Sequence, residues 1–91
     1  MEFIIIDGRR MTSVESAHEY LAKTLRLPDY YGKNLDALHD CLTDLPRSVW
    51  IVLINGDRMD ASLGEYAEKL RRVFKDVGNL PYACHFIEHL S

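Results

Sequence analysis

The chain is poor in the features that mark secreted, membrane-spanning or cofactor-bearing proteins. It has two cysteines, Cys41 and Cys84. They are too few for a disulfide framework and do not form a Cys-x-x-Cys pair, which points to a reducing, cytoplasmic setting. No apolar run approaches the ~20 residues of a membrane span. The opening Met1-Glu2-Phe3-Ile4-Ile5-Ile6-Asp7 has no basic segment ahead of its short apolar run, so no signal peptide is expected. Gly-x-Gly-x-x-Gly, Walker A and Gly-x-Ser-x-Gly patterns are all missing. Nor is there an excess of base: 11 Lys and Arg stand against 14 Asp and Glu. A general nucleic-acid binder wants the opposite balance, so neither nucleic acid nor membrane is expected as a partner.

What is present is an ordinary globular composition, 47% hydrophobic and 27% charged, in 91 residues. That suits a single domain over residues 1–91, with one core and no second lobe to form a cleft. The net charge of −3 becomes informative once located. Residues 29–44 hold Asp29, Asp36, Asp40 and Asp44 against Lys33 alone, so this stretch carries all of it and the rest is neutral. Concentrated acidity of this kind suits a surface that faces something cationic.

Phe3-Ile4-Ile5-Ile6, closed by Asp7-Gly8, predicts a strand, and its unbroken apolarity predicts burial on both faces. Thr12-Ser13-Val14-Glu15 has the form of a capping box with Thr12 as N-cap. Val14, Ala17, Leu21 and Leu25 then form a helical stripe that stops near Leu27-Pro28. His18 reads as a polar position on that helix. Gly32 is available for a left-handed turn. From Asn34 a second helix places Leu35, Leu38, Leu42 and Leu45 on one side and Asp36, Asp40 and Asp44 on the other, until Pro46. Val49–Ile54 predicts a central strand, followed by a turn at Asn55-Gly56. A third helix is expected from an Asp60 cap to the Gly78 stop, then a last strand from Tyr82 to Ile87. The order β-α-α-β-α-β predicts an α/β domain, a small three-stranded parallel sheet with helices packed on it.

Asp36 and Asp40 could bind a hard cation or act as an acid/base pair, which leaves a metal-dependent hydrolase as one alternative. Consecutive turns of one helix, however, offer no converging ligands from a second element. Cys84, His85 and His89 invite a zinc reading, but in a strand Cys84 points away from the two histidines. No catalytic residue, metal or cofactor is therefore expected. The aspartate stripe could be a solvated face. Against that, like charges at i, i+4 destabilise a helix, and Asp44 stands at the C-terminal end, where the macrodipole favours a cation. Such local inconsistency tends to mark function.

The run Tyr30-Tyr31-Gly32-Lys33-Asn34-Leu35-Asp36-Ala37-Leu38-His39-Asp40-Cys41-Leu42 resembles the barstar family of ribonuclease inhibitors. Outside residues 27–43 the likeness is one of pattern and length. The resemblance implies a three-stranded parallel sheet and an intracellular inhibitor that occludes a secreted, guanyl-specific, barnase-type ribonuclease. A nuclease toxin, met by an immunity module, or another basic protein is the alternative partner. Carried over by motif, the contacts would be Tyr30, Tyr31, Asn34, Leu35, Asp36, His39, Asp40, Thr43 and Asp44, with Asp76 from the third helix. Where the family's type member has tryptophan this chain has His39, and where that member has glycine after the threonine this chain has Asp44. The late acid is Asp76, one methylene shorter than glutamate, and Pro46-Arg47 replaces a stretch that elsewhere adds an acidic contact.

Overall fold

A computed structural model describes residues 2–45, 48–80 and 84–89. Three strands, β1 (Glu2–Asp7), β2 (Val49–Ile54) and β3 (His85–Glu88), form one parallel sheet in the order β1-β2-β3. Ile4 pairs with Ile51, Ile6 with Leu53, and Ile51 with Phe86. The most apolar strand, β2, is central, as its composition predicts. Four helices accompany the sheet: α1 (Val14–Thr24), α2 (Leu35–Thr43), α3 (Gly56–Leu63) and α4 (Glu65–Gly78). A short 3-10 turn at Gly8–Arg10 follows β1.

The sheet is covered on one face, not two. Ile4 and Ile6 of β1 and Val49, Ile51 and Leu53 of β2 are buried in the core, whereas Phe3 is 65% exposed and Ile5 58%. The expectation of double burial fails because the helices pack on the same side of the sheet. A continuous apolar run cannot reveal which of its alternate residues receives that cover. The open side is stabilised within the sheet: the Phe3, Trp50 and His85 rings stack across the three strands, with centroids 6.3 Å and 4.4 Å apart.

Helix ends also shift. Ser13, not Thr12, caps α1. Its hydroxyl accepts the Ser16 amide at 3.1 Å while the Ser16 hydroxyl accepts the Ser13 amide at 2.9 Å. This reciprocal pair needs a side chain short enough to fold back, and Ser16 does what Glu15 was expected to do. The helix ends at Thr24, because Arg26 adopts a left-handed φ of 54° and the Leu27 amide returns to the Ala22 carbonyl at 2.9 Å. In the next loop it is Lys33, with φ 55°, that turns left-handed rather than Gly32.

The single helix expected from Asp60 to Gly78 is two. Asn55, at φ 53°, launches α3 directly at Gly56, and Asp60 lies inside it. Gly64, at φ +59°, then breaks the run and starts α4, giving β-α-α-β-α-α-β. Arg71 on α4 joins these pieces. It donates to Glu88 of β3 at 2.7 and 3.0 Å and to Asp60 of α3 at 2.5 and 3.1 Å. Pairing with these two carboxylates raises its already high pKa. Of the expected final strand, Tyr82 and Ala83 lie outside the described residues, as do Pro46 and Arg47 after α2.

Candidate functional site

The acidic surface is built by α2 and the loop before it. Asn34 caps the helix, its side-chain oxygen accepting the Ala37 amide at 2.8 Å. The leucine spacing then decides the orientation. Leu38 and Leu42 are completely buried, Leu35 and Leu45 are half-buried, and Asp36, Asp40 and Asp44 are left exposed. At 1.5 Å per residue the three carboxylates are set about 6 Å apart along one face. Asp40 stands in the middle with its side chain 83% exposed.

Among the described residues no lysine or arginine pairs with these acids. Among the described residues, Asp36 has no ion pair, and the Asp40 carboxylate has the His39 ring nitrogen Nδ1 4.0 Å away. Thr43 donates its hydroxyl to the Asp40 backbone carbonyl at 2.8 Å, which leaves the Asp40 carboxylate free. Asp44 is the C-cap residue, its amide donating to the Asp40 carbonyl at 3.1 Å. Between Asp40 and Asp44 in sequence, Cys41 has its thiol pKa pushed up, first by burial and then by those two carboxylates. It is a free, half-buried cysteine packed against the core.

The remaining expected contacts divide between surface and support. Tyr30 is 83% exposed, whereas Tyr31, only 7% exposed, turns its hydroxyl inward to His18. Leu35 and His39 are half-buried beside the acids. Asp76 is exposed on α4, the helix that packs on α2, and shares a shallow cleft with Arg72 and Lys75. The acids lie on an open helix face. Among the described residues no group of three or more His, Cys, Asp or Glu side chains is placed to hold a metal ion. Cys84 is buried, and His85 is stacked on Trp50. The hydrolase and zinc readings gain no support from this geometry.

Sequence reasoning missed the polar support behind the loop. His18, read only as a polar position on the first helix, is wholly buried. A signal was available: it falls four residues after Val14 and three before Leu21, within the apolar stripe. Val14, placed in that stripe, is 42% exposed at the first turn.

The family profile described as "Barstar (barnase inhibitor)" matches residues 1–81. The chain belongs to the barstar family. A Bacillus subtilis (strain 168) protein named "Putative ribonuclease inhibitor YrdF" is 46% identical over 79 residues, covering 84% of this chain and 85% of the relative. Barstar proteins are inhibitors rather than enzymes. Among the described residues no helix is long and apolar enough to cross a membrane.

Proposed function

We propose that this barstar-family chain inhibits a cationic, extracellular, guanyl-specific ribonuclease of the barnase type, using α2 as a plug for the enzyme's phosphate site. The observation that carries the reading is the pair Asp36 and Asp40, exposed and without a Lys or Arg partner among the described residues, on a helix anchored by two fully buried leucines. A ribonuclease holds its scissile phosphate with Arg, Lys and His side chains. Asp40 takes the phosphate's place, and Asp36, one turn earlier, pairs with an adjacent cation through charge-assisted hydrogen bonds. Because the helix sets the spacing beforehand, little ordering entropy is lost on docking. The unbalanced charge of residues 29–44 speeds encounter by steering. Tyr30 adds exposed aromatic area at the rim, with Asn34, Leu35, His39, Thr43, Asp44 and Asp76 around the central acids.

Titration of the purified chain into a barnase-type ribonuclease tests this reading. RNA cleavage should fall to zero at one equivalent. Undiminished cleavage at a large excess, with every guanyl-specific ribonuclease tried, would overturn it.

A further inference from the structure

His18 is the one completely buried polar side chain among the described residues, and both of its ring nitrogens are used. Nδ1 lies 2.5 Å from Tyr31 Oη and Nε2 lies 2.6 Å from Tyr66 Oη. A neutral imidazole has one N–H donor and one acceptor nitrogen, so one tyrosine donates to the ring and the other accepts from it. Burial pushes the imidazole pKa down and both phenol pKa values up, which keeps all three groups uncharged. The triangle joins α1, α4 and the loop that leads into α2.

Over Tyr30–Asn34 the other polar contacts of that loop among the described residues are short-range or exposed. The Tyr31 amide donates to the Pro28 carbonyl at 2.9 Å, and the Asn34 side-chain amide donates to the Gly32 carbonyl at 3.3 Å. Lys33 meets Glu19 at 3.9 Å, with both side chains more than half exposed. Lys33 is also held at a left-handed φ, which a lysine does not adopt readily when free. Exposed contacts of this kind hold weakly. The buried hydroxyl–imidazole bond is the strong fixed point.

We infer that His18 is a positioning residue of the acidic surface. Through Tyr31 it holds the Tyr30–Asn34 segment in a single conformation, so that Tyr30 and the capped start of α2 meet the partner already ordered. The consequence for binding rests on the inhibitor reading above, whereas the ordering of the loop does not.

Native-state hydrogen exchange of His18→Phe and Tyr66→Phe tests the inference, together with ribonuclease dissociation rates. Tyr66→Phe removes a buried bond to the same ring but leaves the link to Tyr31 intact. In His18→Phe the Tyr31 and Ala37 amides should exchange at least tenfold faster, measured against the β2 amides. In Tyr66→Phe they should keep pace with β2. Bound ribonuclease should leave His18→Phe about tenfold faster, with little change in association rate, because the α2 charges are untouched. Equal acceleration of loop and core in both variants, or a loop unchanged in His18→Phe, would overturn the inference and leave His18 a purely structural residue. If His18→Phe does not fold, Tyr31→Phe replaces it with the same expected result. A wild-type chain that inhibits no ribonuclease would remove the functional reading, while the exchange data would still decide the role of His18.

Discussion

Replacing Asp40 by alanine should move stability and binding in opposite directions. The side chain is 83% exposed, and its nearest ionic neighbour is His39, 4.0 Å away. The hydrogen bond it receives from Thr43 is to the backbone carbonyl, which alanine retains. Little native support is therefore lost. Asp36 and Asp44 flank it four residues away on either side, and each like-charge pair costs about 0.2–0.5 kcal/mol. Relief of two such pairs, plus the better helix propensity of alanine, predicts a free protein about 1 kcal/mol more stable at low salt. Added salt should shrink that gain, since exposed charges are screened. The same substitution removes the phosphate mimic, a centrally placed group, and should weaken ribonuclease binding by about 2 kcal/mol or more, roughly thirtyfold. Urea midpoints of the two proteins give the first quantity, and inhibition constants give the second. Asp29→Ala, which removes the same charge from the preceding loop, serves as the control and should change affinity far less. Equal, small losses for both variants would refute the phosphate-mimic argument in favour of diffuse charge. A destabilised Asp40→Ala would refute the account of strain along the stripe.

Further outcomes follow from the same structure. His18 has a lowered folded-state pKa, so the unfolded chain takes up a proton near pH 6.5 that the folded chain refuses. Stability should therefore be full above about pH 6.5 and decline below it, by up to about 1.4 kcal/mol per pH unit until the folded-state pKa is reached. Urea midpoints at pH 7.5 and 5.5 measure the decline, and His18→Phe should lose this component. Asn34→Ala removes the α2 cap and should cost about 1 kcal/mol in thermal or urea unfolding. Ile6→Ala, in the core, should cost about 2–5 kcal/mol, while its neighbour Ile5→Ala, on the open sheet face, should cost about 1 kcal/mol or less. Equal costs at these two positions would contradict the one-sided sheet. Stopped-flow association with the ribonuclease should slow steeply with added salt, while dissociation changes little.

Much of the surface of α2 was legible beforehand because a helix face is a local property. Once residues 35–43 are helical, the leucine and aspartate spacings assign their own sides, and burial of Leu38 and Leu42 fixes which side is wet. The strands were legible by composition, and so was the parallel order, because helices separate them. Helix ends were less so. Whether Thr12 or Ser13 caps α1, or whether Lys33 rather than Gly32 turns left-handed, depends on backbone angles that several residues can adopt. Gly64 sits within a sequence whose apolar spacing runs on past it, and only the need to turn between two packing directions reveals the break.

By itself, then, the sequence determined the strands, the first two helices, the acidic helix face and the family motif, since each depends on residues within a few turns of one another. Tertiary structure decided the rest. It assigned Phe3 and Ile5 to an open face and Ile4 and Ile6 to the core, a choice that rests on where distant helices dock. It also brought His18 to Tyr31, 13 residues away, and to Tyr66, 48 residues away. A buried imidazole needs partners for both nitrogens, and only the folded chain could supply them from two other elements.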